Sequence, residues 1–191
     1  MTEENAPDFA MLRAVEILAA MHERARKAPN QPPPPLERPV VLFNERIAFA
    51  VGTTTRVSVE RELGIAFSYP APGWHTYAVS GPNRERRLLS AFYAKGTLLA
   101  AEFYVARTGG APMLEPRALG SFRFVPGEVE LGANVAAIAQ HFVPASGGPG
   151  PVIFDEAFEA RFAGGVAYVM ARKGTIERLA LYTDTMTLAP S

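Results

Sequence analysis

Three histidines are the first side chains of this sequence that could transfer protons or bind a metal ion. His22 lies in a stretch with helical periodicity, His75 follows Trp74 directly after a Pro-Gly turn, and His141 ends a second helical pattern. His75 could act as a general base if its surroundings perturbed its pKa, but a half-exposed histidine at a strand end is the simpler interpretation. No two histidines have the i, i+4 spacing of a helical metal site. We therefore predict no metal site.

Serine, glycine and carboxylate motifs do not predict catalysis either. Ser146-Gly147-Gly148 lacks the glycine that precedes the serine by two residues in the nucleophile elbow of hydrolases. The glycines at 109–110 and 147–150 are not followed by Lys-Ser/Thr, as a phosphate-binding loop requires. Asp155 and Glu159 share one side of an alternating strand, which predicts a solvated edge and not an acid–base pair. We expect no catalytic residue and no cofactor, and an enzyme is the less favoured class.

The remaining chemical signal is aromatic and basic. The candidate binding residues are Trp74, Tyr77, Arg84, Phe92, Tyr93 and Tyr104. Tyrosine and tryptophan are preferred anchors of protein interfaces, and a large exposed apolar patch usually marks a binding surface. Two interpretations stay open, because these rings could instead be buried inside the protein, which is the simpler interpretation. The basic loop at 80–87 could contact an acidic partner, although a solvated loop is the simpler interpretation.

Composition restricts the class of protein further. The chain has 191 residues, of which 48% are hydrophobic and 20% charged, with a formal net charge of zero. A neutral chain has no overall field that attracts nucleic acid, so we predict none as a partner. There is no cysteine, which excludes disulfides and thiolate metal sites. No stretch reaches the roughly 18–20 apolar residues of a membrane span. Because the acidic start MTEENAPDF lacks the order of a secretory signal, we predict a cytoplasmic protein.

Two matching hairpins are the elements that must position these side chains. Residues 88–105 consist of two apolar, strand-forming runs around Lys95-Gly96, and residues 168–183 repeat this pattern around Lys173-Gly174. The glycine supplies the positive φ that a two-residue hairpin turn requires. We therefore expect two β-hairpins in equivalent places.

Helical patterns precede each hairpin and complete the predicted organisation. Residues 9–27 have the apolar spacing of an amphipathic helix, which could mediate self-association, and a helix is expected within 52–64 and another within 132–143. The predicted fold class is α+β, with tandem helix-plus-antiparallel-sheet repeats whose helices lie on one sheet face and whose sheet could be continuous. The predicted divisions are an N-terminal amphipathic helix (1–28), a proline-rich linker (29–39), a first α+β repeat (40–106), a connection (107–120) and a second α+β repeat (121–186).

Short motifs in the first repeat resemble a known family. These motifs are Gly52-Thr53-Thr54, Val57, Leu63-Gly64, Trp74, Tyr77, and Phe92 with Gly96. They are similar to the small domain of the SmpA/BamE outer-membrane assembly lipoproteins, and two such domains in tandem resemble the β-lactamase inhibitory proteins. The resemblance implies helices on one face of an antiparallel sheet and a second face that binds another protein. This chain lacks the lipid-acceptor cysteine, so a role in outer-membrane assembly is not expected.

The leading functional hypothesis is a non-catalytic protein-binding or scaffolding module. It would use the aromatic sheet face, the N-terminal helix, or both. The alternative is a small-ligand-binding protein or an enzyme with a pocket around Trp74, His75 and Tyr77.

Overall fold

Eleven strands form two antiparallel sheets in the part of the chain that the computed structural model describes, which is residues 35–66, 69–80, 86–105, 122–138, 142–145 and 154–188. The strands are β1 (Val41–Phe43), β2 (Ala48–Phe49), β3 (Trp74–Ser80), β4 (Arg86–Ala94), β5 (Thr97–Val105), β6 (Arg123–Val125), β7 (Val129–Glu130), β8 (Val143–Pro144), β9 (Glu156–Phe162), β10 (Gly165–Arg172) and β11 (Thr175–Thr183). The same residues contain two helices, α1 (Arg56–Leu63) and α2 (Asp184–Leu188), and a 3₁₀ turn, Val135–Ala137.

The larger sheet has seven strands and the smaller sheet has four. Their strand orders are β3-β4-β5-β11-β10-β9-β8 and β2-β1-β6-β7. The pairing of β5 with β11 joins the two hairpins in one continuous sheet, while β1 and β6 join the two short hairpins of the smaller sheet. The smaller sheet therefore combines β1 and β2 with β6 and β7, and the larger sheet combines β3, β4 and β5 with β8 to β11. Each sheet thus contains strands from an earlier and a later part of the chain.

Both predicted hairpin turns are confirmed. Lys95 and Gly96 have φ values of 50° and 80°, and Lys173 and Gly174 have φ values of 48° and 73°. Positive φ at both central residues is the signature of a type I′ turn, whose twist matches that of the flanking strands. Lysine adopts this conformation at some energetic cost, because its Cβ crowds the following carbonyl.

The β5–β11 pairing relates the two hairpins by an approximate two-fold axis. When the hairpins are aligned on their turns, Tyr104 corresponds to Tyr182 and Ala100 corresponds to Arg178. Tyr104 pairs with Arg178, and Tyr182 pairs with Ala100. The contact is thus self-complementary, as in an interface between two identical subunits.

Helix α1 forms within the predicted range of 52–64 and is defined by local capping. The Thr55 side chain accepts a hydrogen bond from the Ser58 backbone N–H at 3.3 Å, which satisfies one free donor of the first turn. Gly64 ends the helix with a φ of 82°, a conformation that glycine adopts without strain. Val59 and Leu63 are one turn apart and both are buried, so α1 packs through one face.

Aromatic side chains connect the two sheets in the core. The Phe122 ring lies 5.5 Å from the Phe49 ring of the smaller sheet and 5.1 Å from the Phe103 ring of the larger sheet, both in edge-to-face geometry. All three side chains are completely buried. Burial of each such side chain contributes about 1.5–3 kcal/mol, so this contact is a principal source of cohesion between the sheets.

The predicted fold class, α+β with tandem helix-plus-sheet repeats, was wrong. The described chain is predominantly β, and its two helices span only eight and five residues. Where a second helix was expected at 132–143, Asn134 caps a 3₁₀ turn of three residues, and Ile138 returns to extended backbone. The smaller sheet was missed because strands of two or three residues are too short to show a period in the sequence.

Several predictions concern residues outside the described ranges. They are the N-terminal helix at 9–27, most of the linker at 29–39, the connection at 107–120, and the side chains of His22, Arg84 and His141. At the described end of the linker, the Leu36 backbone N–H donates to the Arg161 carbonyl at 2.6 Å. None of the helices in the described ranges has the length and apolar character needed to cross a membrane.

Candidate functional site

The two faces of the larger sheet differ in chemistry. One face, called the inner face here, packs on the smaller sheet and α1 and carries fully buried apolar side chains such as Leu89, Phe103 and Leu179. Successive residues of a strand point to opposite sides, so the alternating residues form a second, outer face. Met186 of α2 packs against that outer face. The outer face contains the polar groups described below.

One line of residues across the outer face is largely polar. In strand order from β3 to β9, this polar row is Thr76, Ser90, Glu102, Ala180, Tyr168 and Glu159. Each of the six is at most 4% exposed. Burial of polar groups costs free energy unless they are hydrogen-bonded. Packing requirements alone would have favoured apolar residues here, as they do on the inner face.

Glu102 is the centre of the polar row and carries an ion pair. Tyr182 Oη donates a hydrogen bond to Glu102 Oε1, and Arg178 Nη1 lies 3.5 Å from Glu102 Oε2. The Arg178 and Glu102 side chains are only 9% and 1% exposed. Burial, together with the negative charge of Glu102, raises the pKa of Tyr182 well above its usual value. Tyr182 thus keeps its proton and acts as a hydrogen-bond donor.

This ion pair breaks the approximate two-fold symmetry of the hairpins. The residues that correspond to Glu102 and Arg178 in the other hairpin are Ala180 and Ala100. Ala180 pairs directly with Glu102, Ala100 pairs with Tyr182 as Arg178 pairs with Tyr104, and both alanines are completely buried. Each charged position therefore has a symmetry equivalent that fulfils its structural role with a methyl group. At these equivalent positions the strands pair through alanine.

Arg178 is held between two aromatic rings. Its Cζ atom lies 4.8 Å from the centre of the Tyr104 ring and 5.8 Å from the centre of the Phe154 ring. Such cation–π contacts stabilise a guanidinium group without using its N–H donors. The Nε atom is buried and has no hydrogen-bond partner in the described structure. One strong donor of the site is thus unused.

Hydroxyl groups connect the ion pair to strand β3. Tyr104 Oη lies 3.2 Å from Ser90 Oγ, which lies 3.0 Å from Thr76 Oγ1. Beside them, the rings of Trp74 and Phe92 are 5.5 Å apart and both are half-buried. The outer face therefore combines a buried polar network with partly accessible aromatic surface.

Glu159 contradicts the predicted solvated edge. Its side chain is only 3% exposed, and β8 pairs with β9 at this position, with Val143 opposite Glu159. Glu159 Oε1 lies 3.4 Å from Arg161 Nε, whereas Oε2 is buried with no hydrogen-bond partner in the described residues. Burial, reinforced by the Glu159 carboxylate, raises the pKa of Tyr168.

His75 belongs to a separate cluster on the inner face. Its Nδ1 atom lies 3.9 Å from Glu60 Oε1 of α1, and its ring meets those of Tyr69 and Tyr93 edge to face at 5.0 and 5.2 Å. Burial and the Arg56 charge lower the pKa of His75, while Glu60 acts in the opposite direction.

Tyr77 lies in the same inner-face cluster. The Tyr77 and Tyr93 hydroxyl oxygens are 3.5 Å apart, and burial raises the pKa of Tyr77 to about 12. Both groups are protonated near neutral pH. Neither one can serve there as a proton acceptor of the kind that acid–base catalysis needs.

The structure divides the predicted site residues between the two faces. Trp74, Phe92 and Tyr104 lie together on the outer face, whereas Tyr77 and Tyr93 are buried on the inner face. The predicted pocket around Trp74, His75 and Tyr77 is therefore split by the sheet itself. Arg84 lies outside the described residues.

Sequence reasoning missed the central residues of the site. The available signal was that Glu102 is the one charged residue of the strand run LLAAEFYV and that Arg178, next to Glu177, is one of two charged residues in IERLALYT. A charge within an apolar strand is rarely buried unless it is paired. Within the described residues, no group of three or more histidine or carboxylate side chains is placed to hold a metal ion.

Comparison with known proteins gives no family for this chain. No protein-family model matches it, and neither does any curated protein. A solved cysteine-rich secretory protein from Staphylococcus aureus subsp. aureus Mu50 aligns with a TM-score of 0.40 and 11% identity. The alignment covers 71% of this chain and 45% of that protein, so the chain spans less than half its length.

The expected resemblance to SmpA/BamE domains and to the β-lactamase inhibitory proteins was wrong. The two-sheet, mostly β architecture contradicts the helix-plus-sheet units that the resemblance implies. The glycines of those motifs are turn and cap positions, and Trp74, Tyr77 and Phe92 are strand residues of the larger sheet. Such features recur in unrelated folds. The site must therefore be interpreted from its own chemistry.

Proposed function

We propose that this chain is a non-catalytic binding protein that docks a protein partner on the outer face of its larger sheet. The observation that carries the proposal is the buried Glu102–Arg178 ion pair among half-buried aromatic side chains. These side chains are Trp74, Phe92, Tyr104 and Phe154. Arginine and aromatic residues dominate the energetics of protein interfaces when a partner buries them, and the parts of these four rings that are still exposed are the surface that a partner would cover.

The energetic argument rests on the cost of burying charge. Replacement of a buried ion pair by apolar residues is often neutral or stabilising by about 1–4 kcal/mol. The positions equivalent to Glu102 and Arg178 under the two-fold axis are alanines, so the sheet tolerates the apolar solution. A pair that stability does not require is best explained by recognition.

The chemistry of the site favours binding over catalysis. Tyr182 is protonated and bonded to Glu102, and Glu102 is neutralised by Arg178. His75, the one described histidine, lies on the opposite face of the sheet against α1. A nucleophile and a base in contact, as covalent catalysis requires, are not brought together on the outer face of the described sheet.

The experiment compares neighbouring residues that lie on opposite faces. Full-length wild-type protein captures partners from native lysate, and the dissociation constant of each purified partner is then measured for Phe92→Ala, Trp74→Ala and Tyr93→Phe. Loss of a central aromatic anchor costs about 2 kcal/mol or more, so the two outer-face variants should bind at least about 30-fold more weakly. Tyr93→Phe keeps its buried ring and should bind as the wild type does.

Two results would count against this proposal. One is a partner whose affinity is unchanged by both outer-face variants. The other is equal weakening by Tyr93→Phe, which would indicate a general loss of structure. Circular dichroism and thermal melting of each variant confirm that the chain is folded under the binding conditions.

A further inference from the structure

One carboxylate oxygen of α1 faces two basic side chains on the inner side of the larger sheet. Glu60 Oε1 lies 3.6 Å from Arg56 Nε of the same helix and 3.9 Å from His75 Nδ1 of β3. An arginine is charged at every physiological pH, whereas a histidine gains its charge only as the pH falls towards 6. Protonation of His75 would therefore bring a second cation to an oxygen that Arg56 already neutralises.

The Nδ1 atom of His75 is buried and has no hydrogen-bond partner among the described residues. Its distance of 3.9 Å from Glu60 Oε1 is too long for a hydrogen bond, and the His75 side chain is only 12% exposed. Burial of a charged N–H without an acceptor costs more free energy than burial of a neutral ring nitrogen. Burial, which is the largest cause, and the charge of Arg56 lower the pKa of His75, while Glu60 raises it. The closed arrangement of α1 on the sheet thus favours a neutral His75.

The buried tyrosines beside His75 carry no negative charge that could balance an imidazolium. The imidazole meets the rings of Tyr69 and Tyr93 edge to face, with ring centres 5.0 and 5.2 Å apart. The hydroxyl oxygens of Tyr93 and Tyr77 are 3.5 Å apart, and burial raises the pKa of both groups. These two hydroxyls therefore stay protonated over the whole pH range in which a histidine titrates.

The segment that covers His75 lies at the periphery of the fold. Strand β3 is at one end of the strand order of the larger sheet, and α1 has eight residues, too few to be stable as an isolated helix. Val59 and Leu63 are the buried side chains of α1. Immediately beyond the helix, Ile65 and Tyr69 are 83% and 58% exposed. Local opening is expected where few apolar side chains hold a segment in place, so α1 can separate while the strands of the sheet remain paired.

We propose that α1 is an acid-sensitive cover, which is released from the inner face of the larger sheet when His75 is protonated. Release lets water solvate the imidazolium and separates it from Arg56, and it uncovers the Tyr93 ring that packs on His75. Because the open state binds the proton more tightly than the closed state, the open fraction should increase as the pH falls below 6.5. This regulatory device lies on the inner face and goes beyond the proposed function, which concerns the outer face.

Hydrogen–deuterium exchange of the full chain between pH 7.5 and 5.5 tests the proposal. The measured quantity is the protection factor of the amides at 59–64, corrected for the intrinsic exchange rate at each pH. It should fall about 3- to 10-fold over this range, because one proton changes the opening equilibrium by at most tenfold per pH unit. At every pH it should also be at least about 10-fold below the protection factors of β10, because α1 opens without the sheet.

Matched variants identify the titrating group. His75→Phe is the closest replacement, because Phe158 occupies the corresponding register position when the two hairpins are aligned on their turns. In this variant, and in His75→Gln, protection of α1 should not depend on pH between 7.5 and 5.5. Glu60→Gln keeps the shape of the side chain and leaves His75 beside Arg56, so the loss of protection at low pH should persist.

Four results would overturn the proposal. The first is constant protection of α1 in the wild type across the pH range, and the second is an equal loss of protection in both His75 variants. The third is the disappearance of the pH dependence in Glu60→Gln, which would assign the titration to Glu60. The fourth is equal protection of α1 and β10 at every pH, which would show that α1 opens only when the whole molecule unfolds.

Discussion

Removal of one member of the Glu102–Arg178 pair should destabilise the protein more than removal of both. Glu102→Leu leaves the Arg178 guanidinium charged in an environment where its side chain is only 9% exposed. It also removes the hydrogen bond that Tyr182 Oη donates to Glu102. Arg178→Met leaves the complementary defect, a carboxylate that is 1% exposed without its counter-charge. Both single variants thus contain an uncompensated buried charge.

The magnitude follows from the burial of the pair. Breaking a buried ion pair costs about 3–5 kcal/mol, mainly as the desolvation penalty of the remaining charge. The double variant Glu102→Leu with Arg178→Met removes both charges and loses only the hydrogen bond from Tyr182 to Glu102, which contributes about 1.5–3 kcal/mol. The double variant should therefore be more stable than either single variant. The coupling energy between the two sites should reach at least about 3 kcal/mol.

Urea unfolding followed by circular dichroism measures these differences. For a chain of this length, about 1 kcal/mol corresponds to 2–4 °C in the midpoint of thermal unfolding, so each single variant should melt roughly 6–20 °C below the wild type. The matched control is Arg61→Met, because the Arg61–Glu62 pair has a similar 3.3 Å contact but side chains that are 75% and 30% exposed. That variant should lose less than about 1 kcal/mol.

Additivity would refute the reasoning. If the double variant loses as much stability as the two single variants together, the charges do not compensate each other in the folded protein. Losses below about 1 kcal/mol in the single variants would also refute it, because losses that small are typical of ion pairs exposed to solvent.

Three further predictions concern titration and backbone conformation. Because the pKa of His75 is lowered from 6.5 in the folded state, the unfolded state binds the proton more tightly, so the free energy of unfolding falls as the pH drops below 6.5. His75→Gln should make this free energy, measured by urea unfolding, depend less on pH, and an unchanged pH dependence would assign it to other groups. Because burial raises the pKa of Tyr77 from 10.0 to about 12, the unfolded state ionises first, and the free energy of unfolding should fall as the pH rises above 10. In an ultraviolet absorbance titration, the folded protein should form less tyrosinate between pH 10 and 12 than the urea-unfolded protein, and equal titration curves would contradict the burial. Gly73 has a φ of 83° and an added Cβ would lie 2.5 Å from the Phe92 ring, whereas Gly96 has a φ of 80° and open space around the position of a Cβ. Gly96→Ala should therefore lose about 1–2 kcal/mol of unfolding free energy, and Gly73→Ala about 1–3 kcal/mol more. Equal losses in urea unfolding would show that the Phe92 ring moves freely.

Local elements could be predicted from the sequence because their determinants lie close together in the chain. The Lys-Gly turns set both hairpins, since two adjacent residues with positive φ fix the twist of the strands that they join. The Thr55 and Gly64 caps likewise define α1. Trp74 and His75 are adjacent on a strand and must therefore point to opposite faces, so they could not share one pocket.

The candidate site depends on contacts that no local pattern contains. Tyr182 and Glu102 are 80 residues apart, and they meet because β5 pairs with β11 in one particular register. A shift of that register by one residue would move Glu102 to the opposite face from Arg178. The smaller sheet was equally hidden, because strands of two or three residues are stabilised by pairing and not by their own sequence period.

The sequence by itself determined the two hairpins, their turns and the capped helix, because each is encoded within one short stretch of chain. Only the tertiary structure decided that the hairpins form one sheet, that a second sheet covers its inner face, and that Glu102 and Arg178 are buried together on its outer face. The physical reason is that strand pairing is a non-local choice among many registers. It is settled by the total burial of apolar surface and by the satisfaction of buried polar groups in the whole molecule.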